Sequence, residues 1–142
     1  MRIFLDANVL VSVLNKEYPV FTFAARILSL SNNKKYSVYT SPICLAIAFY
    51  FAEKKSGTSL AKEKIKLLVD NLVITKIDGK EVTAALTNKK VNDFEDGLEY
   101  YAAKNNNCQV IITEDKNDFY FSEIEVLNSK DFLEKYLLKE AG

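Results

Sequence analysis

The strongest constraint on the fold is an alternation of short apolar runs with segments of helical periodicity. Several of the apolar runs are almost continuously hydrophobic, which is typical of strands that are covered on both faces. The five runs that predict strands are RIFLD (2–6), YSVYT (36–40), LVITKI (72–77), CQVIIT (108–113) and IEVLN (124–128). Strands that alternate with helices indicate a parallel sheet joined by right-handed crossovers.

The segments between and after these strands predict helices. They are FTFAARILSL (21–30), SPICLAIAFYFAEK (41–54), SLAKEKIKLLVDNL (59–72), DFEDGLEYYAAKN (93–105) and SKDFLEKYLLKE (129–140). Ser41 followed by Pro42 predicts an N-cap and a first helical residue. Ser129 is the expected cap of the last helix. In the segment 93–105, helical spacing places Phe94, Leu98, Tyr101 and Ala102 on one side.

We therefore predict an α/β fold, a three-layer doubly wound parallel sheet of about five strands in the order 3-2-1-4-5. Residues 1–142 are expected to form a single domain, because the sequence contains no linker, repeat or low-complexity tract. This order places strands 1 and 4 side by side where the winding direction reverses. Ligands of such folds bind in the crevice at the carboxyl ends of those strands.

Composition narrows the chemistry that this crevice can support. The chain has 49% hydrophobic residues, and its 19 basic and 19 acidic residues cancel, which argues against general electrostatic attachment to nucleic acid or membrane. It contains no histidine, which excludes Ser-His triads and His metal ligands. No membrane span or secretory signal is apparent, and Cys44 and Cys108 lie in apolar surroundings. We therefore expect buried, reduced thiols and a cytoplasmic location.

Three groups of acidic residues bear on the crevice. Asp6 ends strand 1, and Asp115 and Asp118 follow strand 4, so the strand order brings these carboxylates together. Asp93, Glu95 and Asp96 begin the helix before strand 4, and only a suitable tilt of that helix would bring them to the same place. That tilt does not follow from the sequence.

Clustered carboxylates repel one another unless a cation lies between them. Oxygen ligands without His or Cys suit Mg²⁺ or Mn²⁺, so the outline is that of a metal-dependent phosphodiesterase or phosphatase. Each group also has a purely structural interpretation. Asn92 with Glu95 fits a capping box, residues 115–118 fit a solvated turn, and Asn8 could cap the next helix.

Four stretches together resemble the successive signatures of PIN-domain proteins. They are MRIFLDANVLVSVL, TSPICLAIAFYF, NDFEDGLEYYAA and VIITEDKNDF, in the order and at the spacing of that family, and LEKYL fits its terminal helix. The chain is most similar to the bacterial group with a DFEDALQYY-like segment. Its relatives include the toxin halves of VapBC-type toxin–antitoxin pairs.

The resemblance implies a metal-dependent endoribonuclease and assigns its residues. Asp6 and Asp96 match metal ligands, and Asn8 matches an Asn that supports the site. The carboxylate after strand 4 is Asp115 or Asp118, both carried as catalytic candidates, with Asp115 ranked first as the metal ligand. Ser41 and Asp93 are assigned supporting roles beside Asn8. Ala7 replaces the family's Thr or Ser.

One departure from the family weakens this assignment. Family members carry Glu or Asn in the helix after strand 2, and the alignment places Ile47 there. Glu53 lies six residues further and is expected to point elsewhere. The site is therefore expected to cleave weakly, to bind one ion loosely or not to cleave.

Three functions remain open at this point. The first is an Mg²⁺- or Mn²⁺-dependent toxin ribonuclease with an RNA substrate, an antitoxin partner and a homodimeric state. The second is a PIN-like protein or RNA-binding module with weakened or lost catalysis. The third is a receiver-type phosphoacceptor domain, which would use Asp6 and Asp78. The candidate RNA-binding lysines are Lys34, Lys35, Lys54, Lys55, Lys89, Lys90 and Lys116.

Overall fold

The fold is built on a five-stranded parallel sheet. The computed structural model describes residues 1–138. The strands are β1 (Arg2–Leu5), β2 (Ser37–Thr40), β3 (Val73–Ile74), β4 (Val110–Ile112) and β5 (Glu125–Leu127). Their order is β3-β2-β1-β4-β5, which confirms the predicted topology. Each observed strand lies inside its predicted run and is shorter than it.

The centre of the sheet is the centre of the hydrophobic core. Ile3 of β1 pairs with Val38 of β2 and with Val110 of β4. Ile3, Phe4 and Leu5 have no exposed surface, and neither do the three residues of β4. This burial on both faces explains why these runs are continuously apolar rather than alternating.

Seven α-helices connect and cover the strands in the described part of the chain. They are α1 (Ala7–Leu14), α2 (Val20–Leu28), α3 (Pro42–Ser56), α4 (Thr58–Val69), α5 (Gly79–Thr87), α6 (Phe94–Asn105) and α7 (Ser129–Phe132). Helix α1 packs against α2 and α3, and α5 packs against α6. The crossovers on either side of β1 run in opposite directions, so right-handed connections place helices on both faces of the sheet.

Helix α5 was missed by the sequence analysis, although its start carries a recognisable signal. Asp78 caps it, and the Glu81 side chain reaches back to the Asp78 backbone N–H at 2.9 Å in a capping box. The apolar pattern of the helix is weak because only Glu81 and Ala85 are buried. Asp78 is committed to this cap at the sheet edge, two strands from β1, so it cannot pair with Asp6 in a receiver-type site.

The expected cap at Ser129, and the structural interpretations that made Asn8 and Asn92 caps, are each wrong by one or two residues. Asp6, rather than Asn8, caps α1, and Asp93, rather than Asn92, caps α6. Asn128 caps α7 by accepting from the Asp131 N–H at 2.7 Å, while Ser129 is fully buried. The Ser41 cap of α3 is confirmed, with Pro42 at the first helical position. Local side-chain geometry selects among adjacent polar residues, and the residue types alone do not distinguish them.

The C-terminal segment is less regular than predicted. Residues Leu133–Leu138 continue α7 with π-helical hydrogen bonding. The last two residues of the predicted helix, 139 and 140, lie outside the described part of the chain. Within residues 1–138, none of the helices is long and apolar enough to cross a membrane.

A close approach between helices fixes the position of α6. A Cβ atom added at Gly97 would lie 2.7 Å from a Val91 methyl group and 3.0 Å from Ala85 Cβ. Glycine therefore lets α6 lie close against α5 and the segment before it. This matters for the site because Asp96 and Glu99 flank Gly97 on α6.

Candidate active site

A cleft of about 480 Å³ opens at the carboxyl ends of β1 and β4. The strand order places it where the winding direction reverses, as the sequence predicted. Helices α1, α3 and α6 and the loop after β4 supply its walls. Its lining residues are Asp6, Ala7, Asn8, Val11, Ser12, Glu17, Val20, Ile47, Phe51, Glu95, Asp96, Glu99, Glu114 and Asp118.

Asp6 lies at the floor of the cleft and is held from several sides. It is only 7% exposed, and its backbone N–H donates to the Ile112 carbonyl at 3.0 Å. Its Oδ1 accepts from the Ala7 N–H at 2.7 Å, and its Oδ2 accepts from the Thr113 hydroxyl at 2.8 Å. The position at the N-terminus of α1 also favours a negative charge. These contacts orient the carboxylate rigidly.

Asn8 connects the start of α1 to the loop after β4. Its Nδ2 donates to Thr113 Oγ1 at 3.1 Å, and its Oδ1 accepts from the Glu114 N–H at 3.2 Å. Asn8 therefore holds the loop that carries Asp115 and Asp118. These two hydrogen bonds position the loop relative to α1, and the supporting role that the family resemblance implies for Asn8 stays a prediction.

Helix α6 reaches the cleft and delivers Asp96 to it. Asp93 caps the helix by accepting from the Asp96 N–H at 3.1 Å, which places Asp96 in the first turn. Burial, followed by the negative charges of Asp93, Asp118 and Asp6, raises the pKa of Asp96 to about 7. The open question of the helix tilt is thus settled in favour of convergence.

Glu99 is a buried acidic residue of this cleft that the sequence analysis missed. It is 1% exposed, and burial together with the charge of Asp6 raises the pKa of its carboxyl to about 11. Its Oε2 is buried without a hydrogen-bond partner. One ligand atom each of Asp6, Cys44 and Glu99 lie within 4.8 Å of one another. Glu99 is three residues after Asp96, and that helical spacing was the signal available in the sequence.

The expected inner face of α6 was correspondingly misjudged. Leu98 and Ala102 are buried as predicted, but Phe94 is 45% exposed. Glu99, between Leu98 and Tyr100, occupies a buried position instead. An apolar pattern cannot identify a buried carboxyl group.

The loop after β4 presents Asp118 rather than Asp115 to the cleft. A 3-10 turn over Lys116–Phe119 follows Asp115, and the Asp118 N–H donates to the Asp115 carbonyl at 3.1 Å. The buried Phe119 anchors this turn and so directs Asp118 inward. Partial burial and the charges of Asp115, Asp6 and Asp93 raise the pKa of Asp118.

Asp115 is not among the lining residues of the cleft, and its backbone stabilises the loop. Its N–H donates to Thr113 Oγ1 at 3.1 Å. The ranking of Asp115 ahead of Asp118 therefore does not match the placement of the two side chains. A turn of a few residues decides which carboxylate faces inward, and its direction depends on where Phe119 packs.

Helix α3 lines the cleft with apolar side chains at the position where a polar one was expected. Ile47 is half-buried and faces the cleft together with Phe51. Glu53 accepts from the Thr58 hydroxyl at 2.8 Å, so it points elsewhere, as predicted. Ser41 uses its hydroxyl to cap α3, accepting from the Cys44 N–H at 3.1 Å, and does not line the cleft.

The cleft carries acidic side chains but no lysine or arginine among its lining residues. Seven of the fourteen lining residues are Asp or Glu. None of the seven candidate RNA-binding lysines belongs to the lining, and Lys116 pairs with Asp131 at 3.7 Å. Such a cleft repels a phosphate until a cation neutralises it, and its oxygen donors suit a hard divalent ion.

A family model and a curated protein both match most of this chain. The sequence model of the family described as "PIN domain" matches residues 2–117. Ribonuclease VapC1 of Aquifex aeolicus is 28% identical in an alignment of 139 residues, and the match covers 95% of this chain and 95% of the relative.

Two solved structures share the fold. The first is VapBC-1 from nontypeable Haemophilus influenzae, with a TM-score of 0.70, 19% identity, and coverage of 92% of this chain and 99% of the other. The second is VapBC2 from Rickettsia felis bound to a DNA fragment from its promoter, with a TM-score of 0.69 and 18% identity. The match covers 90% of this chain and 98% of the other.

Proposed function

The chain belongs to the PIN-domain family, and we propose that it is a metal-dependent endoribonuclease, the toxin component of a toxin–antitoxin pair. The observation that carries the proposal is the convergence of Asp6, Asp96 and Asp118 in one cleft without a neutralising side chain. The similarity to Ribonuclease VapC1 supports the choice of RNA as the substrate.

The residues of the cleft fit a hard divalent cation. The donors are carboxylate oxygens, and the buried Glu99 Oε2 has no hydrogen-bond partner. We assign Asp6, Asp96 and Asp118 as the residues that hold Mg²⁺ or Mn²⁺, with Asn8 and Asp93 supporting them. When bound, the ion supplies positive charge to the phosphate and lowers the pKa of the attacking water.

The chain's own residues orient these groups. Thr113 and the Ala7 N–H hold the two oxygens of Asp6, and Asp93 fixes the start of α6. Without an ion, burial and the neighbouring carboxylates raise the pKa of Asp96 to about 7, and a cation between these carboxylates would favour the ionised form. In this arrangement the carboxylates would hold the cation that attracts the phosphodiester, and the apolar Ile47 and Phe51 form the opposite wall.

The decisive experiment is a calorimetric titration of the wild-type protein and Asp6→Asn with Mn²⁺. Removing a charged ligand should weaken binding by about tenfold or more. Cleavage of single-stranded RNA by the wild-type protein should stop in EDTA and return with Mn²⁺. Equal affinity of both proteins for Mn²⁺ would refute the assignment of the site.

A second candidate is a PIN-like binding module without strong catalysis. Ile47 favours it, because an apolar side chain stands where relatives carry a polar one. RNA or protein binding without cleavage, at any concentration of Mn²⁺, would select this candidate.

The partner is the remaining part of the proposal. The two similar solved structures are VapBC assemblies, which supports an antitoxin encoded beside this chain. Co-expression with the adjacent small reading frame should yield a stable complex in which cleavage is inhibited. We place the pair in the cytoplasm, where the two buried cysteines stay reduced and RNA is accessible. Homodimerisation remains a prediction that sedimentation of the isolated chain would test.

A further inference from the structure

The inner wall of the cleft contains a carboxyl group that the metal assignment above does not use. We propose that Glu99 is a further metal ligand beside Asp6, supplying from α6 the polar group that α3 lacks at Ile47. This inference rests on the proposed function, since it concerns the same cation.

The distances suit two ligands of one ion. One oxygen each of Asp6 and Glu99 lie within 4.8 Å of each other. Mg²⁺–oxygen distances are about 2.0–2.1 Å, so two oxygens on opposite sides of one ion are separated by about 4.2 Å, and adjacent ligands by less. An approach of at most about 0.6 Å therefore brings the two oxygens within the separation that one cation bridges.

The burial of Glu99 also indicates a missing partner. The residue is 1% exposed, it faces the cleft, and its Oε2 accepts no hydrogen bond. A buried polar atom without a partner is costly, and native proteins rarely retain one without a reason. A cation bound between Asp6 and Glu99 would supply that partner.

The position of Glu99 opposite α3 explains how α6 can supply the oxygen ligand that α3 lacks. Ile47 and Glu99 line the same cleft from α3 and α6. Moving the oxygen donor from one helix to the other keeps the number of polar groups around the ion. Cys44, in the first turn of α3, supplies the third atom of the cluster, but hard ions prefer oxygen, so Asp6 and Glu99 are the ligands.

The variant Glu99→Gln distinguishes two roles of Glu99, that of a metal ligand and that of a residue that only orients Asp6. The amide keeps the size and can still donate a hydrogen bond to Asp6, but it loses the charged oxygen. The matched control is Glu95→Gln, the same substitution on the same helix and in the same cleft, at an exposed position. It removes one carboxyl group from the cleft without removing a buried one.

The experiment measures Mn²⁺ binding by calorimetry and by electron paramagnetic resonance of free Mn²⁺, with melting curves in EDTA confirming that each variant folds. We expect Glu99→Gln to weaken Mn²⁺ binding about tenfold or more, and Glu95→Gln to weaken it less than about threefold. Equal effects of the two variants would overturn the inference, because general charge would then explain them.

Two further outcomes keep this inference distinct from the proposed function. Wild-type affinity in Glu99→Gln, with weakened binding in Asp6→Asn, would overturn the role of Glu99 and leave the nuclease proposal intact. Absence of Mn²⁺ binding in the wild-type protein would overturn both.

Discussion

The Thr113 hydroxyl donates a 2.8 Å hydrogen bond to Asp6 Oδ2 and thereby connects the end of β4 to the end of β1. Thr113 is fully buried, and its Oγ1 also accepts hydrogen bonds from Asn8 Nδ2 and from the Asp115 N–H, both at 3.1 Å. One hydroxyl therefore positions the central carboxylate, the supporting amide and the loop that carries Asp118.

Thr113→Val should weaken both the site and the fold. Valine has nearly the same shape, but it leaves Asp6 Oδ2 without its donor, which costs about 1–3 kcal/mol of unfolding free energy. Loss of a group that orients a ligand should reduce Mn²⁺ affinity about 10–100-fold. Urea unfolding and calorimetry measure the two effects. Thr113→Ser keeps the hydroxyl and is the control. A valine variant that binds Mn²⁺ like the wild type would show that Asp6 needs no such orientation.

The two carboxylates after β4 should behave differently. Asp118→Ala should abolish most RNA cleavage, because this side chain lines the cleft, whereas Asp115→Ala should retain most of it. Initial rates of cleavage of one RNA at saturating Mn²⁺ measure this. The opposite result would restore the ranking obtained from the sequence. Loss of activity in neither variant would mean that the whole loop is a solvated turn.

An exchange of residues between α3 and α6 should restore metal binding. In the Glu99→Gln background, Ile47→Glu returns a carboxylate to the cleft from α3, where the family resemblance implies a polar residue, so Mn²⁺ affinity should recover by about tenfold. In the wild-type background the same substitution adds a like charge near Asp6 and should not improve affinity further. Calorimetry of the wild type, the two single variants and the double variant gives the coupling between positions 47 and 99 in Mn²⁺ affinity. Additive effects would show that the two positions do not share an ion. Because Ile47 is half-buried, thermal melts in EDTA check that the variants fold.

The stability of the metal-free protein should fall as pH rises above about 5. The folded protein holds protons on Asp96 up to a pKa of about 7 and on Glu99 up to about 11, well above the values of 3.8 and 4.5 for free side chains. The folded state therefore binds more protons than the unfolded state, and the unfolding free energy decreases with pH. The slope contributed by one such proton is at most about 1.4 kcal/mol per pH unit.

Urea unfolding in EDTA between pH 5 and pH 8 measures this dependence. Glu99→Gln has no proton to retain, so its stability should fall less steeply than that of the wild type and exceed it at pH 8. Parallel curves for the two proteins would show that Glu99 ionises normally in the folded state.

Much of this fold follows from local pattern. The apolar runs around Ile3 and Val110 predict central strands, because both faces of the sheet are covered and every side chain there must be hydrophobic. The alternation of strands and helices, with right-handed crossovers, then predicts the strand order and the crevice beside Asp6. Ser41 and Pro42 predict the start of α3 correctly, since caps depend on adjacent residues only.

The sequence by itself thus determined the architecture and the place of the site, whereas only the tertiary structure decided which side chains fill it. Glu99 faces Asp6 because Gly97 lets α6 pack closely, and Asp118 turns inward because Phe119 is buried beneath it. Periodicity reports which residues are apolar, and a buried carboxyl is invisible to that signal. Its environment is formed by residues distant in sequence, so its role emerges only when the helices and strands are packed together.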